Sequence, residues 1–212
     1  MEDVDKRAHS VATPAPHGAL AAECSTEAIH LIKAADRLRI YSVTSLDSQA
    51  FPGRLATVVC CGGERLLPGT QPIYSWRAIE YFLKRCRGRV SSIVFSGPNV
   101  LLEEALPCAI ERALMLGWAV GLRTNAEEPE RLRELLPRLS WVSLELPLPG
   151  KALSAVGEQA KASLRMLRTA GIPFECRTPP WSGDHRSAYI RRLGSQLAEL
   201  GVERYTVTLQ RH

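Results

Sequence analysis

No run of apolar residues in this sequence approaches the roughly 20 that a membrane-crossing helix needs. The opening segment, MEDVDKRAHSVATPAP, has no apolar stretch of signal-peptide type, so no secretory leader is expected and a cytoplasmic location is the default. No C-x-x-C occurs, which removes the common zinc and dithiol motifs. The six cysteines (Cys24, Cys60, Cys61, Cys86, Cys108 and Cys176) are therefore expected as free thiols buried like small apolar side chains. Cys60 and Cys61 are adjacent, and on a strand they would point to opposite faces, a poor arrangement for sharing a ligand. A concentrated basic stripe is also missing. The formal charge is only +5, and Arg85, Arg87, Arg89 and the Arg191–Arg192 pair fall at helix ends and on expected solvent faces. Without aromatics interleaved among such charges, nucleic-acid binding is not expected.

What is present suits one ordinary globular domain. A chain of 212 residues with 45% hydrophobic side chains can bury a sizeable core. Residues 1–24 mix Pro, Ala, His and charges without periodicity and read as a flexible tail. A short helix over Glu27–Leu38 follows, capped by Ser25 and Thr26, so residues 1–36 form an extension with a short helix and 37–212 the folded domain. An extended stretch, Arg39–Thr44, leads into a loop ending at Pro52–Gly53.

From there apolar runs of strand length recur at Leu55–Cys61, Val90–Phe95, Trp118–Leu122, Trp141–Leu146, Phe174–Thr178 and Tyr205–Leu209. Amphipathic segments separate them, at 75–87, 101–116, 127–138, 158–170 and 186–200. Gly88, Gly117, Gly171 and Gly201 each stand between such a segment and the next strand, where a left-handed residue closes a helix. Six strands with intervening helices predict an α/β fold with a parallel sheet covered by helices. Periodicity leaves two architectures open, a doubly wound sheet and an incomplete β/α barrel. In both, ligands bind in the loops after the strand carboxyl ends.

Those loops hold few chemically active groups. Gly62-Gly63-Glu64-Arg65-Leu66-Leu67-Pro68-Gly69 has neither the spacing of a P-loop nor a following Lys-Ser/Thr. Ser96-Gly97-Pro98-Asn99 follows the second strand. Thr124 and Asn125 could bond a ligand, or Asn125 could cap the next helix. Glu145 is the only acid on its strand, and Arg177-Thr178 precede the stiff turn Pro179-Pro180-Trp181. His185 has no partner visible in the sequence.

In this order the pieces resemble a known family. Pro52-Gly53-Arg54-Leu55-Ala56, Val94-Phe95-Ser96-Gly97, Leu122 to Asn125, Glu134 to Leu139 with Trp141-Val142, Glu175-Cys176-Arg177-Thr178, and Leu200-Gly201-Val202 with Tyr205 are similar to the radical-SAM activating proteins of anaerobic ribonucleoside-triphosphate reductase, a group of glycyl-radical-enzyme activases. The resemblance runs from about Leu38 to Gln210 and implies a partial (β/α)6 TIM-like barrel of radical-SAM type. The family's chemistry uses three thiolates in a C-x3-C-x2-C loop to hold a [4Fe–4S] cluster that binds S-adenosylmethionine. The matching positions here are Gly62, Leu66 and Gly69, none of which has a donor atom. The family's Gly-Gly-Glu reads Gly97-Pro98-Asn99, and its Asp-x-Lys reads Glu145-Leu146-Pro147.

The resemblance therefore implies a degenerate member, with no metal site, no catalytic residue and no cluster. Gly97, Thr124, Asn125, Glu145 and Arg177 would remain of the cofactor pocket. The expected function is that of a pseudoenzyme, a binding or scaffolding subunit in a hetero-oligomer with a protein partner. The alternatives are a pocket that still holds S-adenosylmethionine or a nucleotide, and a radical enzyme with a non-standard cluster using Cys60, Cys61 or a partner's thiols. Leu66 and Leu67 would either fill the vacated cavity or offer an apolar docking patch, and residues 1–36 are a second docking candidate.

Overall fold

A computed structural model of the chain describes residues 26, 28–62, 71–125, 127–146, 157–178 and 186–207. The expectations placed on the tail 1–24, on Leu66, Leu67 and Gly69, on the Pro179-Pro180-Trp181 turn and on His185 lie outside the described residues.

A helix at 28–35 (α1) precedes β1 (Ile40–Phe51) and β2 (Arg54–Cys61). Then come α2 (Trp76–Arg85), β3 (Ser92–Ser96), α3 (Leu106–Met115), β4 (Ala119–Thr124), α4 (Pro129–Leu135), β5 (Trp141–Glu145), α5 (Glu158–Ala170), β6 (Phe174–Thr178), α6 (Arg186–Glu199) and β7 (Tyr205–Val207). The strands form one curled, half-barrel sheet in chain order. β1 is antiparallel to β2, and β2 through β7 are all parallel. Chain order without a reversal rules out the doubly wound alternative, whose crevice lies where strand order reverses. No helix among the described residues is long and apolar enough to cross a membrane.

Two boundaries differ from the sequence expectation for physical reasons. The stretch expected as a short extended piece and a loop is a twelve-residue edge strand, β1, joined to β2 through Pro52–Gly53. Its middle, Ser45 to Gln49, is polar except for the exposed Leu46, because an edge strand exposes most of its side chains, so it lacks an apolar run. The pairing slips on either side of Asp47, whose carboxylate accepts the N–H groups of Gln49 at 2.7 Å and Ala50 at 2.9 Å. The segment expected as one helix over 101–116 is split. A 3-10 turn at Val100–Leu102 ends at Glu103, and α3 starts afresh with Pro107 in its first turn, where proline's missing N–H is not needed.

The helices cover one face of the sheet. Val59, Cys61, Ile93, Phe95, Val120, Leu122, Val142, Leu144 and Cys176 meet Leu83, Ile110, Leu132, Leu164 and Leu193 in one continuous core. Trp76 is wholly buried and stacks on Phe95 with ring centroids 5.9 Å apart. Glu80 lies within this layer, where Arg112 reaches it at 2.7 Å and Lys84 at 2.8 Å. Burial opposes its charge, but the hydrogen bonds from Arg112 and Lys84 outweigh that and hold its carboxyl below the usual range. α1 belongs to the same body. Ala35 and Leu38 join the core, and the Asp36 carboxylate accepts the Arg77 N–H at 3.0 Å in the first turn of α2. Residues on both sides of position 36 thus take part in this packing.

The opposite, concave face has a smaller apolar patch: Ala50, Phe51, Ala56, Val58, Val94 and Trp141. Gly121 makes this patch close. A Cβ there would stand 3.1 Å from a Val94 methyl and 3.2 Å from the Phe51 ring, so its absence lets Phe51 lie across β4 towards Trp141.

Candidate functional site

Side chains alternate between the faces along each strand. With Gly121 and Trp141 on the concave face, Arg123, Ser143 and Glu145 follow them there, and the register Ser143↔Glu175 and Glu145↔Arg177 adds two side chains of β6. The carboxyl ends of β4, β5 and β6 thus gather Arg123, Ser143, Glu145, Glu175 and Arg177 beyond the apolar patch.

The contacts within this group are partly complete. Glu175 is buried and accepts from the Ser143 hydroxyl at 3.1 Å and from Arg177 Nε at 3.0 Å. Arg123 is different. Its Nε is shut away from solvent with no hydrogen-bond partner among the described residues. Burial lowers the Arg123 pKa and the adjacent positive charge of Arg177 lowers it further, while Glu145, Asp47 and Glu175 pull the other way.

The expected pocket residues separate in the structure. Glu145 and Arg177 are cross-strand neighbours on the concave face. Thr124 pairs with Leu144 and follows Leu122, which puts it on the helix side, buried. The Asn125 amide is engaged locally, donating to Glu127 Oε2 at 2.8 Å and accepting the Glu127 N–H at 3.4 Å, a local role of the kind its position before a helix allows. Gly97 has φ +132°, and a Cβ there would lie 2.0 Å from the Cys61 carbonyl oxygen, so it serves a close approach of two backbones.

Arg123, Ser143 and Glu175 are not evident as a group in the sequence. Their one signal is a polar or charged residue at alternate positions of β4, β5 and β6.

The cluster implied by the resemblance can be tested at Gly62. This residue has φ +79°, and a Cβ would approach the Pro98 carbonyl oxygen to 2.8 Å. A side chain at position 62 would be strained at this φ and would require the Pro98 backbone to shift, so the position lacks a thiolate and disfavours one. The adjacent thiols offer little instead. Cys61 lies in the helix-side core with its Sγ against the Ser96 carbonyl oxygen at 3.6 Å, while Cys60 is on the other face. Burial, with lesser help from the charge of Glu103, pushes the Cys61 thiol far above its ordinary range, against forming a thiolate. Among the described residues no three of His, Cys, Asp and Glu come together as metal ligands.

The described site is thus a charged cluster at the carboxyl ends of β4, β5 and β6, beyond an apolar patch on the same face. Compared with known proteins, the chain matches no protein-family model and no curated protein.

Proposed function

We propose that this chain is a catalytically degenerate relative of the radical-SAM activating proteins, built on their partial barrel, and that it acts in the cytoplasm as a binding or scaffolding subunit for a protein partner. The observation that carries the reading is Gly62, whose backbone disfavours the side chain that the family's first cluster ligand would need. Six parallel strands in chain order with helices on one face, and the motifs in family order, support the relationship.

Anaerobic reconstitution with iron and sulfide tests the loss of the cluster. The expected protein is colourless and holds no stoichiometric iron; about four irons per chain with a brown absorbance would overturn the reading. The scaffold role is tested by capturing the chain from its native cell and then capturing it reciprocally through the identified partner. A chain that is recovered alone in both directions is not a scaffold.

A retained pocket for S-adenosylmethionine or a nucleotide is the weaker reading. Of the residues expected to form it, only Glu145 and Arg177 share the concave face with free hydrogen-bonding capacity among the described residues.

A further inference from the structure

The two helices that open the domain leave an apolar groove between them. The carboxyl end of α1 is fixed: Ala35 is in the core, and the Asp36 carboxylate accepts the Arg77 N–H at 3.0 Å and pairs with Arg77 Nε at 2.8 Å. Towards its other end, Ile29 and Ile32 line a groove of about 290 Å³ together with Arg77, Glu80, Tyr81 and Lys84 of α2. Ile29 in the first turn of α1 thus shares the groove with Lys84 in the last turn of α2, so the helices run antiparallel. Its apolar walls stand in water, with Ile29 48% exposed and Tyr81 63%. One exposed apolar residue is ordinary, but two that border the same groove between helices leave it open to a third ridge of side chains.

The charge around this groove is one-sided. In residues 28–38 and 75–89 the only acids are Asp36 and Glu80, against seven lysines and arginines. Both acids are already engaged, Asp36 by Arg77 and Glu80 by Arg112 and Lys84. Lys33, one turn on from Ile29, is exposed, as are Arg77, Lys84 and Arg85. Arg85 lies over the Tyr81 ring at 5.7 Å and donates to its hydroxyl at 3.1 Å, which steadies the ring as a wall of the groove.

We propose that the α1–α2 groove docks an amphipathic helix of a partner protein, its apolar side chains set between Ile29, Ile32 and Tyr81 and its acidic flanks against Lys33, Arg77, Lys84 and Arg85. Taking Ile29 and Tyr81 out of water supplies the affinity, with the aromatic ring as the anchor. The cations fix the sign of the partner and speed its encounter, since rim charges add little strength of their own. An anionic bilayer has the same sign of charge, but a flat surface does not enter a groove between helices. The inference rests on the scaffold reading for the class of its partner, and adds the surface and the chemistry that recognise it.

The test is fluorescence anisotropy of the full chain with a labelled peptide of about 18 residues, long enough to hold a helix, that carries leucines along one face and glutamates on both flanks. This peptide should bind, more weakly as salt is added. The same peptide with lysines for its glutamates, or serines for its leucines, should bind about tenfold less tightly or worse. Ile29→Asp removes an apolar wall and puts an acid in the first turn of a helix, where it is tolerated, so the variant should fold and bind the acidic peptide about tenfold less tightly. Tyr81→Ala should weaken binding similarly, and it decides the matter if Ile29→Asp does not fold. In capture from the native cell, both folded variants should lose the partner that the wild type holds. No binding of the acidic peptide, equal binding of the acidic and basic peptides, or undiminished binding by both folded variants would overturn the assignment. So would binding of phosphatidylserine vesicles in place of the peptide, or self-association of the wild-type chain that Ile29→Asp abolishes. A partner still captured by both folded variants sinks this surface and leaves the scaffold role standing. Peptide binding judges the groove on the isolated chain even where capture recovers no partner, so the two readings fail separately.

Discussion

The two faces of the sheet solve opposite problems. The helix-side face is closed: its strand residues pack against the helices, and a buried acid there, Glu80, comes with its counter-ions. The concave face is closed only at the floor, by Phe51, Val58, Val94 and Trp141, and gives way to charge at the strand ends. On the first face the buried charge is explained by the fold. On the second, Arg123 Nε is shut from solvent with no hydrogen-bond partner among the described residues, although acids of β1, β5 and β6 lie in its field.

The largest effect that would break the contrast lies on the closed face. Trp76→Ala, deleting a wholly buried ring stacked on Phe95, should lower unfolding free energy by about 3–5 kcal/mol in chemical denaturation. Gly62→Cys comes next. Placing a Cβ at positive φ and 2.8 Å from the Pro98 oxygen should destabilise by about 1–3 kcal/mol, and anaerobic reconstitution of this variant should still yield no cluster. Iron binding by it would show that the loop end rearranges and that the strain is not decisive.

Glu80→Gln should destabilise by about 1–3 kcal/mol at neutral pH, leaving Arg112 in the helix layer with a weaker partner. The Glu80 carboxyl is lowered in the folded protein, so its stabilisation is present above its ordinary value of 4.5 and is lost as the pH falls through the folded value. Denaturation midpoints of variant and wild type, apart at pH 7, should therefore converge in acid. The concave counterpart, Glu175→Gln, should have the smallest effect, about 0.5–1 kcal/mol, because the amide oxygen still accepts from Ser143 and Arg177. If Glu175→Gln proves as damaging as Glu80→Gln, the concave cluster is a structural network and the contrast between the faces disappears.

Much of the scaffold is legible in the residues alone. β2 through β5 are short, mostly apolar runs because one face packs under the helices and part of the other lies in the Phe51–Trp141 patch, and Gly88, Gly117, Gly171 and Gly201 all have the positive φ their positions suggest. β1 is legible only in part, because an edge strand with a solvated middle carries little of the apolar pattern that marks a strand. The site is harder to read. Thr124 and Asn125 adjoin Arg123 in sequence, but alternation sends Thr124 to the helix side and a local turn takes Asn125, leaving Arg123 to face Glu145 and Arg177.

The sequence by itself determined the alternation of strands and helices, the glycine stops and the absence of a sulfur donor at positions 62, 66 and 69, because these depend on residue type and near-neighbour spacing. Only the tertiary structure decided the half-barrel over the doubly wound sheet, the crowding at Gly62, and the placing of Arg123, Glu145 and Arg177 on one face. Each of these is a relation between segments far apart in the chain, and strand register is a property of two strands together rather than of either one.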